Sequence, residues 1–300
     1  LDYKKILLVI NPKAGIASQR YNVFDIIESF CERDCLTTTL TTLKEGDAVR
    51  LVSENAAEHD MVVCSGGDGT LNEVVSALMR TKADIPIGYI PSGSTNDMAR
   101  TLEIPVKTKK AAELIMEGEP HPFDVGVFGK DRYFCYTASF GAFTRVSYST
   151  PRKLKNIFGH FAYVLQGVSK AVEELVPHHV KVEADGFEIE GDFLLGGLFN
   201  SKSVAGLIKL DKCGLKLDDG KFELILIRKP KNADHLRRIV KDLGRQRFSD
   251  DTVILRRVSS AQFTFDKPTP WSLDGEYGGK TQSVFLENKK HAVSIFGEKE

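Results

Sequence analysis

Met61-Val62-Val63-Cys64-Ser65-Gly66-Gly67-Asp68-Gly69-Thr70-Leu71-Asn72-Glu73 decides how this chain reads. The first four residues are a short apolar run, the pattern of a strand buried on both faces. Leu71, Val74, Val75 and Leu78 then mark one face of a helix. Between strand and helix, glycines let backbone N–H groups approach an anion, and the helix N-terminus adds its dipole. The stretch is not a Walker A loop, because it lacks Gly-Lys-Ser/Thr, and its glycine spacing differs from the dinucleotide fingerprint. Asp68 is the informative residue. A carboxylate inside a phosphate cradle repels its ligand unless a divalent cation bridges the two. A tight turn with Asp at a helix N-cap fits the same residues equally well.

Working outward, the same grammar repeats. Lys5-Ile6-Leu7-Leu8-Val9-Ile10 is a buried strand followed by the turn Asn11-Pro12-Lys13-Ala14-Gly15. The strand Ile87–Ile90 leads into Pro91-Ser92-Gly93-Ser94-Thr95-Asn96-Asp97, whose hydroxyls and second carboxylate suit phosphate plus Mg²⁺ or a capped helix start. Helices are predicted over Val23–Phe30 and Asp47–Glu58, and a Thr-rich strand over Leu36–Leu43. This alternation predicts a doubly wound α/β domain, whose polar turns share the carboxyl edge of one sheet and outline a nucleotide site.

From about Val125 the pattern changes. A turn is read at Gly129-Lys130-Asp131 and a hairpin at Asp185-Gly186 inside Val180–Ile189. Strands are predicted at Phe222–Ile227, Val253–Val258 and Ala261–Phe265, with one helix at Phe161–Leu175. This half reads as mainly antiparallel β. The acidic, glycine-rich Trp271-Ser272-Leu273-Asp274-Gly275-Glu276 is either a hairpin turn or a source of a general base across an interdomain cleft. The domains are placed at 1–128, with residues 288–300 returning to the first, and 129–287.

The 300 residues carry 41 Lys/Arg and 41 Asp/Glu, with 42% hydrophobic residues, which excludes a disordered or collagen-like chain. The zero total hides a division. Residues 1–128 hold 13 basic and 19 acidic residues, a net of −6, so the rest carries +6. Five cysteines, an odd number, suit reduced cytosolic thiols, with Cys31 and Cys35 read as core or helix-face thiols because no second metal-spaced pair follows. Neither a signal sequence nor a run of roughly 20 apolar residues is evident. Arg237-Arg238 to Arg256-Arg257 is basic but lacks interleaved aromatics, so nucleic acid is not expected as a partner. His178-His179 is read as structural.

Taken in order, these elements resemble the diacylglycerol kinase catalytic family of lipid kinases. The resemblance spans essentially the whole chain. It includes Phe123-Asp124-Val125-Gly126, Tyr148 to Lys155, Lys216-Leu217-Asp218-Asp219-Gly220 and Asp274-Gly275-Glu276-Tyr277-Gly278-Gly279. The Gly-Gly-Asp-Gly-Thr element alone is shared with NAD kinases and phosphofructokinases. The fold implied is an N-terminal domain like theirs and a C-terminal, mainly antiparallel β-sandwich. The resemblance implies ATP as co-substrate, with Asn11 to Gly15 and Gly66 to Thr70 at its phosphates. Thr42 would lie by the adenine. Leu71, Asn72, Glu73, Ser94, Thr95 and Glu276 would complete the pocket.

Asp68 and Asp97 would organise a catalytic Mg²⁺, and Asp274 would be the general base. The carbonyls of Lys216 and Lys221 with the Asp219 carboxylate would hold a structural Mg²⁺, linked through water to Asp124. Two departures stand out: Ser94 where Thr is usual, and Asp211-Lys212-Cys213-Gly214 where a Pro-containing segment is usual.

The implied reaction is phosphorylation of the free hydroxyl of diacylglycerol to phosphatidic acid, by a cytoplasmic protein reversibly bound to the inner face of the membrane. The basic half would meet anionic lipid. A homodimer is implied by the resemblance alone. The alternatives are a kinase of a sphingosine-like, ceramide-like or other glycerolipid, an NAD kinase, or a non-catalytic nucleotide or lipid sensor.

Overall fold

In a computed structural model, the structure describes residues 4–15, 23–141, 176–201, 203–204, 208–209 and 216–297. They divide into two compact units, Leu1–Val125 with Lys290–Glu300, and Gly126–Lys289. The expected helix at Phe161–Leu175, the Tyr148–Lys155 stretch and Asp211–Gly214 lie outside the described residues.

The first unit follows from three buried apolar runs and one Thr-rich strand. β1 (Lys5–Ile10), α1 (Val23–Cys31), β2 (Leu36–Thr41), α2 (Asp47–Asn55), β3 (Met61–Gly66), α3 (Asp68–Thr81), β4 (Ile87–Pro91), α4 (Asp97–Thr101) and α5 (Thr108–Glu117) follow one another. The strands stand in the order β2-β1-β3-β4, all parallel. Every residue of β3 is buried, as are Ile6 to Ile10 of β1. Helices on both faces leave such strands no polar side. α2 is shorter than the spacing predicts, ending in a 3-10 turn at Ala56–Glu58. β5 (Pro120–Phe128) leaves this unit, and the end of the last strand returns to it, where Ile295 pairs with Ile87 in parallel.

The second unit contains β6 (Arg132–Phe134), β7 (Thr137–Gly141), β8 (His178–Ala184), β9 (Phe187–Phe199), β10 (Ser203–Val204), β11 (Ile208–Lys209), β12 (Phe222–Arg228), α6 (Ala233–Arg245), β13 (Val253–Val258), β14 (Ser260–Leu273) and β15 (Glu276–Phe296). Its pairings are antiparallel. The long strands β9 and β14 each serve two partners in succession. β9 pairs first with β8 and then with β7, while β14 pairs first with β8 and then with β7, so the four close a ring. A plain two-layer sandwich would leave these sheets separate. Here two bent strands pass from one layer to the other.

Inside the ring, Trp271 meets Phe128, Phe140 and Phe263 edge-on at 5.1–5.3 Å between ring centres. Edge-to-face pairs of this kind add about 0.5–1.5 kcal/mol each beyond burial. The helix α6 was not expected from the sequence, whose arginines there read only as a solvated face. It is capped by Asn232, whose side chain accepts the His235 N–H at 2.8 Å, and it buries Leu236 and Ile239.

Candidate active site

In the first unit, register fixes the site. Ile10 lies opposite Thr41 and Ser65, Ser65 opposite Ile90, and Gly66 opposite Pro91. The residues that follow, Asn11, Thr42, Gly67 and Ser92, therefore stand in a row along the carboxyl edge of the sheet. Backbone bonds sew the row together: Asn11 N–H to Ser65 O (2.8 Å), Thr42 N–H to Ile10 O (2.9 Å) and Ser92 N–H to Gly66 O (2.7 Å).

Side chains then shape the turns. Asn11 Nδ2 donates to Thr70 Oγ1 at 3.0 Å, and Asn11 Oδ1 accepts the Lys13 N–H at 3.0 Å. The Lys13 ammonium donates to the Leu43 carbonyl at 2.8 Å, tying the first turn to the Thr42 loop. Pro12 and Ala14 lie between these contacts. Gly67 and Gly93 pack Cα against Cα, and a Cβ on Gly93 would stand 2.6 Å from Gly67 Cα. Asn96, at φ 52°, clips its own turn by accepting from Gly93 N–H (2.8 Å) and donating to Gly93 O (2.9 Å). Ser94 and Thr95 stay exposed beside it, and Gly69 is half-buried at the start of α3.

The two carboxylates sit together here. Asp68 Oδ2 accepts the Asp97 N–H and Oδ1 accepts the Met98 N–H, both at 3.0 Å, which caps α4 from a distant segment. Burial, and then the Asp68 charge, push the Asp97 carboxyl above its ordinary range, against Arg100 at 3.1 Å. Paired hard-oxygen donors of this kind fit a small divalent cation. Leu71 is an exception to its neighbours: its side chain is fully buried and its N–H is taken by Gly67 O, so it belongs to the core and not to a ligand. Asn72 is half-buried and accepts from Ser76 Oγ at 3.4 Å. Glu73 points away from the glycine turn, with one oxygen on Gly46 N–H (2.9 Å) and the other on Ala48 N–H (3.0 Å). Asp124, fully buried, accepts the His291 N–H at 2.8 Å.

In the second unit, Asp274 and Gly275 form the two-residue turn between β14 and β15, at φ 48° and 84°. Both positive values suit the Asp-Gly hairpin. The Asp274 carboxylate is also a hub. Oδ2 accepts Cys135 N–H (2.6 Å), and Oδ1 accepts Tyr136 and Thr137 N–H (2.9 Å each). Its own N–H donates to Thr137 O and its carbonyl accepts from the Tyr136 hydroxyl. Glu276, two residues on, is exposed.

The loop at 216–221 carries Asp219, whose Oδ1 accepts the Lys221 N–H at 2.9 Å and whose Oδ2 meets the Arg257 guanidinium. Glu223 follows, 1% exposed, with Oε2 buried and unpartnered and Arg257 Nε 3.6 Å from Oε1. Burial pushes its carboxyl up to about 7. A turn that offers a carboxylate and backbone carbonyl oxygens has the donor chemistry for Mg²⁺. A cation there would share Asp219 with Arg257. Sequence reasoning gave Arg257, Glu223 and Asn96 no role in a site: Arg257 read as part of a basic stretch, Glu223 as part of a strand, and Asn96 as one residue of the Pro91–Asp97 turn.

Residues 5–128 match the family model of the diacylglycerol kinase catalytic domain. Diacylglycerol kinase of Bacillus subtilis (strain 168) is 32% identical over 96% of this chain and 95% of its own length. That of Staphylococcus carnosus (strain TM300) is 33% identical over 99% of this chain and 96% of its own. The chain belongs to the diacylglycerol kinase family. It is thus a phosphotransferase by kinship across its full length, second unit included. Two Bacillus anthracis str. Sterne crystal structures described as diacylglycerol kinases superpose with TM-scores of 0.82 and 0.79 at 23% identity, covering 99% of this chain and 98% of theirs. At that identity the likeness concerns the fold. Among the described residues, no helix is long and apolar enough to cross a membrane.

Proposed function

We propose that this diacylglycerol kinase family member transfers the γ-phosphoryl of ATP to the free hydroxyl of diacylglycerol, giving phosphatidic acid and ADP. The observation that carries the reading is the row of turns along one sheet edge ending in the Asp68–Asp97 pair. Phosphoryl transfer asks the protein for positioning and charge neutralisation more than for covalent chemistry. Backbone N–H groups of Gly66 to Thr70, with Asn11 and the hydroxyls of Ser94 and Thr95, hold phosphate oxygens. Thr42 lies on the base side. Asp68 and Asp97 would hold Mg²⁺, which would supply neutralisation of charge on the phosphates. The carbonyls of Lys216 and Lys221 with the Asp219 carboxylate would hold a second, structural Mg²⁺.

The second unit carries the candidate acceptors for the hydroxyl proton, the carboxylates of the Asp274–Glu276 turn. Asp274 was the expected base. Three backbone N–H groups already bond to its carboxylate and commit it to holding the turn. Glu276 is exposed and is the better placed of the two to accept the proton, with Asp274 holding the turn.

The test uses labelled ATP with mixed micelles of diacylglycerol, of sphingosine or ceramide, or with NAD, followed by product identification. Labelled phosphatidic acid supports the reading, and label only in another lipid or in NADP overturns it. Glu276→Gln should lower turnover by about 10²–10⁴-fold. Wild-type turnover in that variant returns the base to Asp274.

The protein is further proposed to work at the cytoplasmic face of the membrane, docking reversibly through its second unit. α6 presents Arg237, Arg238, Lys241 and Arg245 to solvent. Each cation is worth about 1 kcal/mol near an anionic surface. Vesicle sedimentation should depend on anionic lipid and fall with salt. A homodimer would be read by sedimentation velocity.

A further inference from the structure

The loop after β2 carries Thr42, the residue proposed to lie beside the base, and it is held unusually firmly. Asp47 Oδ2 accepts both Leu43 and Lys44 N–H, at 2.8 and 3.1 Å. Lys13 Nζ holds the Leu43 carbonyl. The helix that follows, α2, begins at Asp47 after Gly46 at φ 84°, and Gly46 offers no side chain to cap it. Its leading N–H groups are donors without an intrahelical acceptor, and such donors need a partner from outside. Glu73, on α3 immediately after the glycine turn, supplies it: one carboxylate oxygen for Gly46 N–H and the other for Ala48 N–H. An anion at a helix N-terminus is also favoured by the helix dipole.

We infer that Glu73 is a positioning residue that locks the base-side loop to the phosphate-side helix, and does not itself touch the nucleotide. Both of its oxygens point to α2, 25 and 27 residues earlier in the chain. α3 begins at the phosphate cradle, so the distance between the phosphate turn and the Thr42 loop is fixed before ATP arrives. Leu43, 72% exposed, is held on the same loop with its N–H and carbonyl both engaged. Preorganisation of this kind raises affinity by removing an ordering cost from the binding step. The role rests on the ATP reading proposed above.

The test compares ATP with inorganic tripolyphosphate, which has phosphates and no base, by calorimetry on wild type and Glu73→Gln. A glutamine oxygen can accept one of the two N–H groups, and its amide faces the other as a donor. ATP affinity and KM for ATP should weaken about tenfold, kcat should hold within about twofold, and tripolyphosphate affinity should stay unchanged. Amide exchange at residues 43–48 should speed up in the free variant. Loss of ATP and tripolyphosphate binding together, or weaker ATP binding with unchanged exchange at Gly46 and Ala48, overturns the inference. If wild type does not bind ATP, it is the nucleotide reading that fails. Should the variant not fold, exchange in wild type decides: Gly46 and Ala48 amides exchanging at the unprotected rate would refute the clamp.

Discussion

Asp274→Asn and Asp274→Ala separate holding a turn from moving a proton. In the native protein the Asp274 carboxylate accepts three backbone N–H groups at 2.6–2.9 Å and is 5% exposed. An asparagine oxygen can keep the Tyr136 and Thr137 donors, but its amide then faces the Cys135 N–H, donor against donor. One charge-assisted bond is lost, about 1.5–3 kcal/mol, so Asn should cost about 2–3 kcal/mol. Alanine leaves all three donors unmet, about 1–3 kcal/mol each and less than additive. It also puts a residue with no local hydrogen bond at φ 48°, about 1 kcal/mol more. The sum for Ala is about 4–6 kcal/mol.

The assay is built in. Trp271 is the chain's single tryptophan, fully buried three residues before the turn, so its fluorescence in a urea titration reports this unit. The expected order of midpoints is wild type, then Asn, then Ala, with Glu276→Gln level with wild type. If Asp274→Asn unfolds at the wild-type midpoint, the turn is not held as described.

Gly93→Ala should weaken ATP binding by tenfold or more while the second unit's unfolding, followed by Trp271, stays unchanged, because the added Cβ meets Gly67 backbone at 2.6 Å. Asp219→Asn should remove any stabilisation that Mg²⁺ gives over EDTA in a thermal melt; an undiminished Mg²⁺ effect in the variant would place the cation elsewhere. The His179 ring bonds first to Asp192 (2.9 Å) and then to Glu190 (3.2 Å), which raises its pKa, with Asp266 adding to the pull. A raised folded value means stability that is fully present below the unfolded pKa, about 6.5, and lost as pH rises through the folded one. Wild type should therefore melt above His179→Gln at pH 5.5 and level with it at pH 9, by a small margin because the pair is exposed. A margin that grew with pH would refute the assignment.

Much of the first unit was legible because β1, β3 and β4 are buried on both faces and write themselves as apolar runs; β1 and β3 begin at the residues read from the sequence. The second unit wrote less. The hairpin at Asp185-Gly186 was visible through its turn chemistry, and both residues have positive φ. The ring closed by β9 and β14 was not visible, since the choice of strand partner leaves no residue signature; β9 alternates up to Asp192 and is buried throughout from Phe193. α6 was hidden for another reason. Its charges dominate, and only the Leu236 and Ile239 stripe with the Asn232 cap reveals the helix. In the site, residue type pointed to carboxylates, but their partners are backbone N–H groups of distant segments, which carry no side-chain signature.

The acids of the site differ in how many of their acceptor positions backbone N–H groups already fill. A carboxylate has about four acceptor positions. Asp274 has at least three filled by N–H groups, Asp68 and Glu73 two each, while Asp97 meets Arg100. An acceptor position already filled by an N–H cannot also take a proton or a cation. Capacity for Mg²⁺ would therefore lie with Asp97 first and Asp68 second, and Asp274 is the acid most committed to the fold. The same bonds tie segments together: Asp68 to the start of α4, Glu73 to the start of α2, Asp274 to the start of β7. Substituting Asp97 should hence impair metal-dependent turnover with little loss of fold, and substituting Asp274 should reverse that balance. An Asp97→Asn protein that unfolds as early as Asp274→Asn would break the ordering, because it would assign Asp97 a structural load that its contacts do not carry.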